Sequence, residues 1–207
     1  MDENMELAQL EPRARSFWSW FEAAESRLRT LGPDSAAWKE LDEQVGKLGI
    51  KAWEVGPATV STARYSLALS PNGDREAYRL TRSVVALAPT IPEWEFLPAK
   101  PRKHWARQLH WSQDQIDIDA SGWRFVVYRY EDGLSEIVLL GDELPALDPD
   151  AQMRVLDFVV ESELGEASCM ELLYGIDILR EPTEQDLANS ISVTSLFQAV
   201  VAGRNMH

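Results

Sequence analysis

The chain has 207 residues, 45% of them apolar and 26% charged, with eight Trp and one Cys. A chain of this length buries roughly 70% of its extended surface and folds without disulfides or metal. The lone Cys169 excludes an intrachain disulfide and is in keeping with a reducing compartment.

The net charge of −14 is concentrated in one segment. Residues 1–130 hold 17 Lys and Arg against 18 Asp and Glu, whereas residues 131–190 hold only Arg154 and Arg180 against 16 acids. A field of one sign speaks to the sign of a partner rather than to the fold. It disfavours nucleic acid, whose phosphates need cations, and favours a basic protein. The acidic opening lacks the apolar run of a signal peptide, and no stretch approaches eighteen apolar residues. A cytoplasmic protein without a membrane span is therefore expected.

In chain order, residues 1–12 read as a lead-in. Phe17, Phe21, Ala24, Leu28 and Leu31 then form one helical stripe, closed by Gly32-Pro33. A second helix over 35–48, capped by Asp34 or Ser35, carries Trp38, Leu41, Val45 and Leu48 on one face, which predicts a helical hairpin. Trp18 and Trp20 cannot both share the Phe17/Phe21 stripe, so one of them is expected to pack on the following sheet. The other is free for a homo-oligomer contact.

Strands are predicted over 51–55 and 64–70, followed by the turn Pro71-Asn72-Gly73-Asp74, a helix ending before Pro89, and a strand over 93–97. PAKPRKHWARQLHWS, residues 98–112, holds four cations, two His, two Trp and no acid, and reads as a surface crossover that becomes a strand near Leu109–Trp111. QIDIDA alternates strictly, and Ser121-Gly122 and Asp132-Gly133 are hairpin dipeptides. Residues 115–140 are thus predicted to be a three-strand antiparallel meander. Asp148-Pro149 starts a helix that Gly165 ends, with Met153, Leu156, Val160 and Leu164 inward and Asp150, Asp157 and Glu161 outward. A long strand over 169–179 and a short helix around 194–202 complete the chain.

Residues 50–97 and 123–179 both read strand, strand, helix, strand. The expected architecture is α+β: a mostly antiparallel sheet with helices packed on it, built from two such halves, as one domain over 49–207 with the hairpin 1–48 as an appendage. The pieces GIKAWEVGPA, YSLALSPNGDREAYRLTRSVVALAPTIPEWEF and LDFVVESELGE…MELLYGIDIL resemble bacterial domains of unknown function that recur beside polymorphic-toxin and RNase-regulator genes. The resemblance spans about two thirds of the chain and rests on a turn, a cap and a Trp. It implies an α+β fold and a binding or immunity role, and it brings no catalytic residue with it.

No GxGxxG, Walker loop, GxSxG or HExxH occurs. Cys169 lacks a local base and reads as a packed thiol. His104 and His110 with Asp114, Asp117 and Asp119 match no metal-ligand spacing, so neither metal nor cofactor is expected. Two surfaces remain as binding candidates: Arg102, Lys103, His104 and Trp105 on the crossover, and Asp150, Asp157 and Glu161 on the acidic helix. The leading expectation is a protein-binding domain for a basic partner. The rival is an enzyme with a site near Trp94, His104 and His110.

Overall fold

The structure is a computed structural model that describes residues 3–30, 36–59, 61–111, 116–141, 144 and 147–202. It has the expected α+β class, with seven helices among the described residues and strand pairs that are mostly antiparallel. It divides into two compact units, residues 1–101 and residues 102–207.

In the first unit, helix α1 (Glu3–Thr30) starts well before the predicted point and runs through Pro12. A proline inside a helix removes one backbone bond. The helix persists because Leu10, Ala14, Phe17 and Phe21 continue one buried stripe across that position. Helix α2 (Ala36–Lys47) buries Ala37, Leu41 and Val45. The predicted link and caps at 31–35 lie outside the described residues.

Strands β1 (Ala52–Pro57), β2 (Tyr65–Ser70) and β3 (Trp94–Leu97) form a sheet in that order, β1 antiparallel and β3 parallel to β2. Between β2 and β3 the chain crosses through α3 (Arg75–Val85). Asn72 and Gly73 turn it at φ 54° and 76°, and the Asp74 carboxylate caps the helix by accepting Glu76 and Ala77 N–H at 2.7 and 3.1 Å.

Helices and sheet share a single aromatic core. Trp18 lies 4.6 Å from Phe96, Phe21 lies 4.9 Å from Trp94, and the Trp18 indole donates to the Val84 carbonyl at 2.8 Å. This corrects two expectations. The hairpin is no appendage, because it covers the first sheet, and the compact units part at 101/102 rather than 48/49. Trp18 is the residue spent on that sheet and offers nothing to an oligomer contact, while Trp20 is half-buried.

In the second unit, β4 (Gln108–Trp111) and β5 (Ile116–Asp119) form a two-stranded sheet of their own. Strands β6 (Arg124–Arg129) and β7 (Ser135–Leu140) form a hairpin, with β8 (Leu173–Leu179) parallel to β7 and β9 (Ile191–Ser192) antiparallel to β6. The predicted meander is thus broken at Ser121-Gly122. That dipeptide turns the chain without setting a register, and the edge of β6 is taken by β9, secured by Arg124 donating to Ser190 Oγ at 2.8 Å.

From β7 the chain passes through α4 (Pro149–Leu164), capped by Asp148, and α5 (Glu166–Leu172) to β8. The predicted long strand 169–179 is therefore strand only from Leu173. The Glu, Ala, Met and Leu of α5 are strong helix formers, and Gly165, at φ 81°, redirects the chain between the two helices. Helix α6 (Glu184–Asn189), a 3-10 turn (Val193–Ser195) and α7 (Leu196–Ala202) follow.

The two halves correspond in topology as well as in order. In each, an antiparallel hairpin (β1–β2, β6–β7) is followed by a helical crossover to a strand parallel to the hairpin's second member.

Candidate functional site

The crossover cations are not held out to solvent. Residues 102–107 form a strap on the C-terminal end of α4, centred on the Glu163 carboxylate, which is 2% exposed. The Trp105 indole donates to Glu163 Oε1 at 3.0 Å and Arg107 Nη2 to Oε2 at 3.0 Å. Arg107 Nε also lies 2.9 Å from Oε1, but its N–H is not aimed at that oxygen, so this contact is an ion pair without a hydrogen bond.

The Arg102 guanidinium donates to the Glu163 carbonyl and sits 3.7 Å from the centre of the Phe197 ring. Lys103 N–H donates to the Ser162 carbonyl at 2.8 Å, and its ammonium lies 5.7 Å from the Phe158 ring. Trp105 meets Phe158 edge-on at 5.5 Å. Arg102, Lys103 and Trp105 are thus half-buried against their own unit, and only His104 of the four is exposed. Of the strap's cations, Arg107 is paired with the Glu163 carboxylate, while Arg102 and Lys103 lie against ring faces. Arg107 has φ 62°, the left-handed region that side chains rarely adopt, which lets its guanidinium reach Glu163.

On α4, Asp150 and Asp157 are exposed and Glu161 is half-buried. Partial loss of water around Asp157 raises its carboxyl above the usual range. His110 stands opposite Asp117 across β4–β5, both exposed. Among the described residues, no group of three or more His, Cys, Asp and Glu is arranged to hold a metal ion, and no helix is long and apolar enough to cross a membrane.

A second arrangement lies at the β6–β7 turn. Tyr130 N–H donates to the Leu134 carbonyl at 2.9 Å, and Gly133, at φ 83°, closes the loop over Glu131 and Asp132. On β8 the register against β7 slips by one residue, with Ser135 opposite Leu173 and Glu136 opposite Gly175. Tyr174 is the extra residue. Such a slip re-aims a side chain, and Tyr174 is 72% exposed.

Its ring meets that of Tyr130, 41% exposed, at 5.5 Å and 62°. With Glu131 and Asp132 the two tyrosines line an open cleft of about 460 Å³. The Tyr130 hydroxyl donates to Glu136 at 2.6 Å, which holds the phenol above its usual pKa. Tyr128, opposite Glu136 in register, donates to Asp186 at 3.0 Å. Loss of water, aided by that bond, likewise raises the Tyr128 phenol.

No protein-family model, curated protein or solved structure matches the chain.

The residues lining this cleft were not among the sequence candidates, although Glu131 and Asp132 open the acidic segment. Its tyrosines are brought together by a register slip, which leaves no mark in periodicity. Cys169 is half-buried against the core of the second unit. Burial, reinforced by the fields of Glu161, Glu166 and Asp157, pushes its thiol up to about 12. Against an ordinary thiol near pKa ~8.5, that leaves about a thousandfold less thiolate at pH 8. Iodoacetamide is expected to modify the folded chain on that slower scale and the urea-unfolded chain at the ordinary rate. Equal rates would contradict the half-buried placement.

Proposed function

We propose that this chain works by binding rather than by catalysis, as an immunity-type or regulatory protein that takes a basic protein partner on its acidic segment 131–190. One observation carries the reading. Glu131 and Asp132 pair with no cation among the described residues, and they stand beside two exposed tyrosine rings in an open cleft. The strap cations, by contrast, are already committed to Glu163 and the rings around it.

Tyrosine is enriched at binding hot spots, and complementary charge raises association rates and narrows partner choice. The resemblance to domains encoded near toxin genes points the same way, and a chain with one cysteine suits the cytoplasm. The test uses the full chain to capture a partner, then measures the purified pair by calorimetry at about 50 and 200 mM salt, where screening differs strongly. A basic partner whose affinity falls at least about tenfold with salt, and again in the charge-reversed E131K/D132K variant, is expected. A partner that is acidic, or indifferent to both changes, would overturn the reading.

A further inference from the structure

We infer that the Tyr130–Tyr174 cleft is a receptor for a single arginine side chain projecting from the basic partner. The inference rests on the reading above and adds the chemistry of the contact. The two rings meet edge to face, their planes at 62° and their centres 5.5 Å apart, and Tyr174, 72% exposed, keeps a ring face open to solvent. The electron-rich face of an aromatic ring attracts a cation within about 6 Å of its centre, and arginine is the more frequent occupant.

The remaining lining residues are two acids, Glu131 and Asp132. A planar guanidinium stacks on a ring and presents a donor fork to a carboxylate at the same time, which the compact ammonium of lysine cannot do. The acids also exclude the alternatives. An apolar side chain would strip water from them without compensation, and an anionic ligand would meet the sign of the whole segment.

The site is built as well as open. Asp132 accepts the Leu134 N–H at 3.0 Å, which holds the turn in place and leaves its second oxygen free for a donor. The Tyr130 hydroxyl is tied to Glu136 at 2.6 Å, so the ring is fixed before any ligand arrives. Preorganisation of this kind lowers the cost of binding. Within the same unit, the Arg102 guanidinium already stands 3.7 Å over the Phe197 ring, the geometry the cleft would offer an incoming arginine.

The experiment titrates the isotope-labelled full chain with a blocked pentapeptide, Gly-Gly-Arg-Gly-Gly, at low salt, and follows backbone amides by NMR. Saturable shifts are expected at residues 130–134 and 173–175. Binding should weaken severalfold for the lysine peptide and at least about tenfold for the citrulline peptide, which keeps the shape and loses the charge. Y174A should weaken arginine binding about two- to fivefold, the worth of an exposed cation–π contact, while Y174F retains it.

Shifts spread instead along Asp150, Asp157 and Glu161, or binding unmoved by Y174A, would overturn the inference. So would an unperturbed cleft in a chain that still binds a basic protein with salt dependence, and that result would leave the broader reading standing. Arginine seated in the cleft of a chain without a basic protein partner would uphold the cleft's chemistry and overturn both the broader reading and the partner as the source of the arginine.

Discussion

Replacing Glu163 with Ala is expected to destabilise the protein by about 3–5 kcal/mol, the usual consequence of removing one partner from a buried ion pair. The carboxylate is 2% exposed and receives both the Trp105 indole and the Arg107 guanidinium. Its loss strands two donors against α4 and loosens the strap on which Arg102 and Lys103 are arranged. E163Q keeps the shape and one acceptor, and Arg107, with its side chain 24% exposed, can turn to water. A smaller loss of about 1–3 kcal/mol is expected there.

Arg107 adds a backbone test. At φ 62° an alanine keeps the strain that a glycine relieves, so R107G should be more stable than R107A by about 1 kcal/mol even though both lose the pair. Urea midpoints at constant m-value check all four variants. An E163A midpoint within about 1 kcal/mol of the parent would show that the strap is held by its aromatic contacts and its bonds to the Ser162 and Glu163 carbonyls, not by the carboxylate.

Most elements announce themselves by periodicity and caps. Asp74 and Asp148 cap the helices they precede, Gly165 turns the chain where α4 ends, and the Leu67/Leu69 alternation marks β2. The strand-strand-helix-strand order of the halves is legible for the same reason, because each half is a run of local signals. Pairing is not local. Nothing in QIDIDA or WRFVVYRY says that β5 seeks β4 while β6 seeks β7 and β9, since any alternating strand can serve any edge. The helix α5 was hidden because its apolar Met170 and Leu172 run directly into the strand that follows.

The candidate surfaces divide along the same line. The crossover 98–112 that contains the strap was visible as a composition, four cations and two Trp without an acid, but the strap's destination was not. A signal for Glu163 was nonetheless present: it stands seven residues after Leu156 and three after Val160, on the inward stripe of α4. A carboxylate on an apolar stripe needs a cation, and the strap is the cation-rich segment of the chain. The tyrosine cleft had no comparable signal. Tyr130 and Tyr174 are 44 residues apart in sequence, and they meet because β7 and β8 slip by one residue beside the turn.

The same argument from shared burial yields the last prediction, for the first unit. Phe21 is fully buried, with the rings of Trp94 and Phe96 at 4.9 and 5.2 Å and those of Phe17 and Trp18 at 6.2 and 6.0 Å. F21A removes the ring at the centre of that cluster and is expected to cost about 3–5 kcal/mol. That is a large part of the stability of about 5–15 kcal/mol typical of a domain.

Deleting residues 1–48 should go further. It removes Phe17, Trp18, Phe21, Ala24, Leu28, Leu41, Val45 and Leu48 from one core and leaves Leu67, Leu69, Val84 and Trp94 without their cover. A three-stranded sheet with a single helix and a bare apolar face cannot offset its own ordering entropy. Hydrogen exchange at the β2 amides of residues 65–70 reads both variants: faster exchange in F21A, and no protection after the deletion. Slow exchange that survives in residues 49–101 without the hairpin would mean that the helices decorate the sheet rather than complete it.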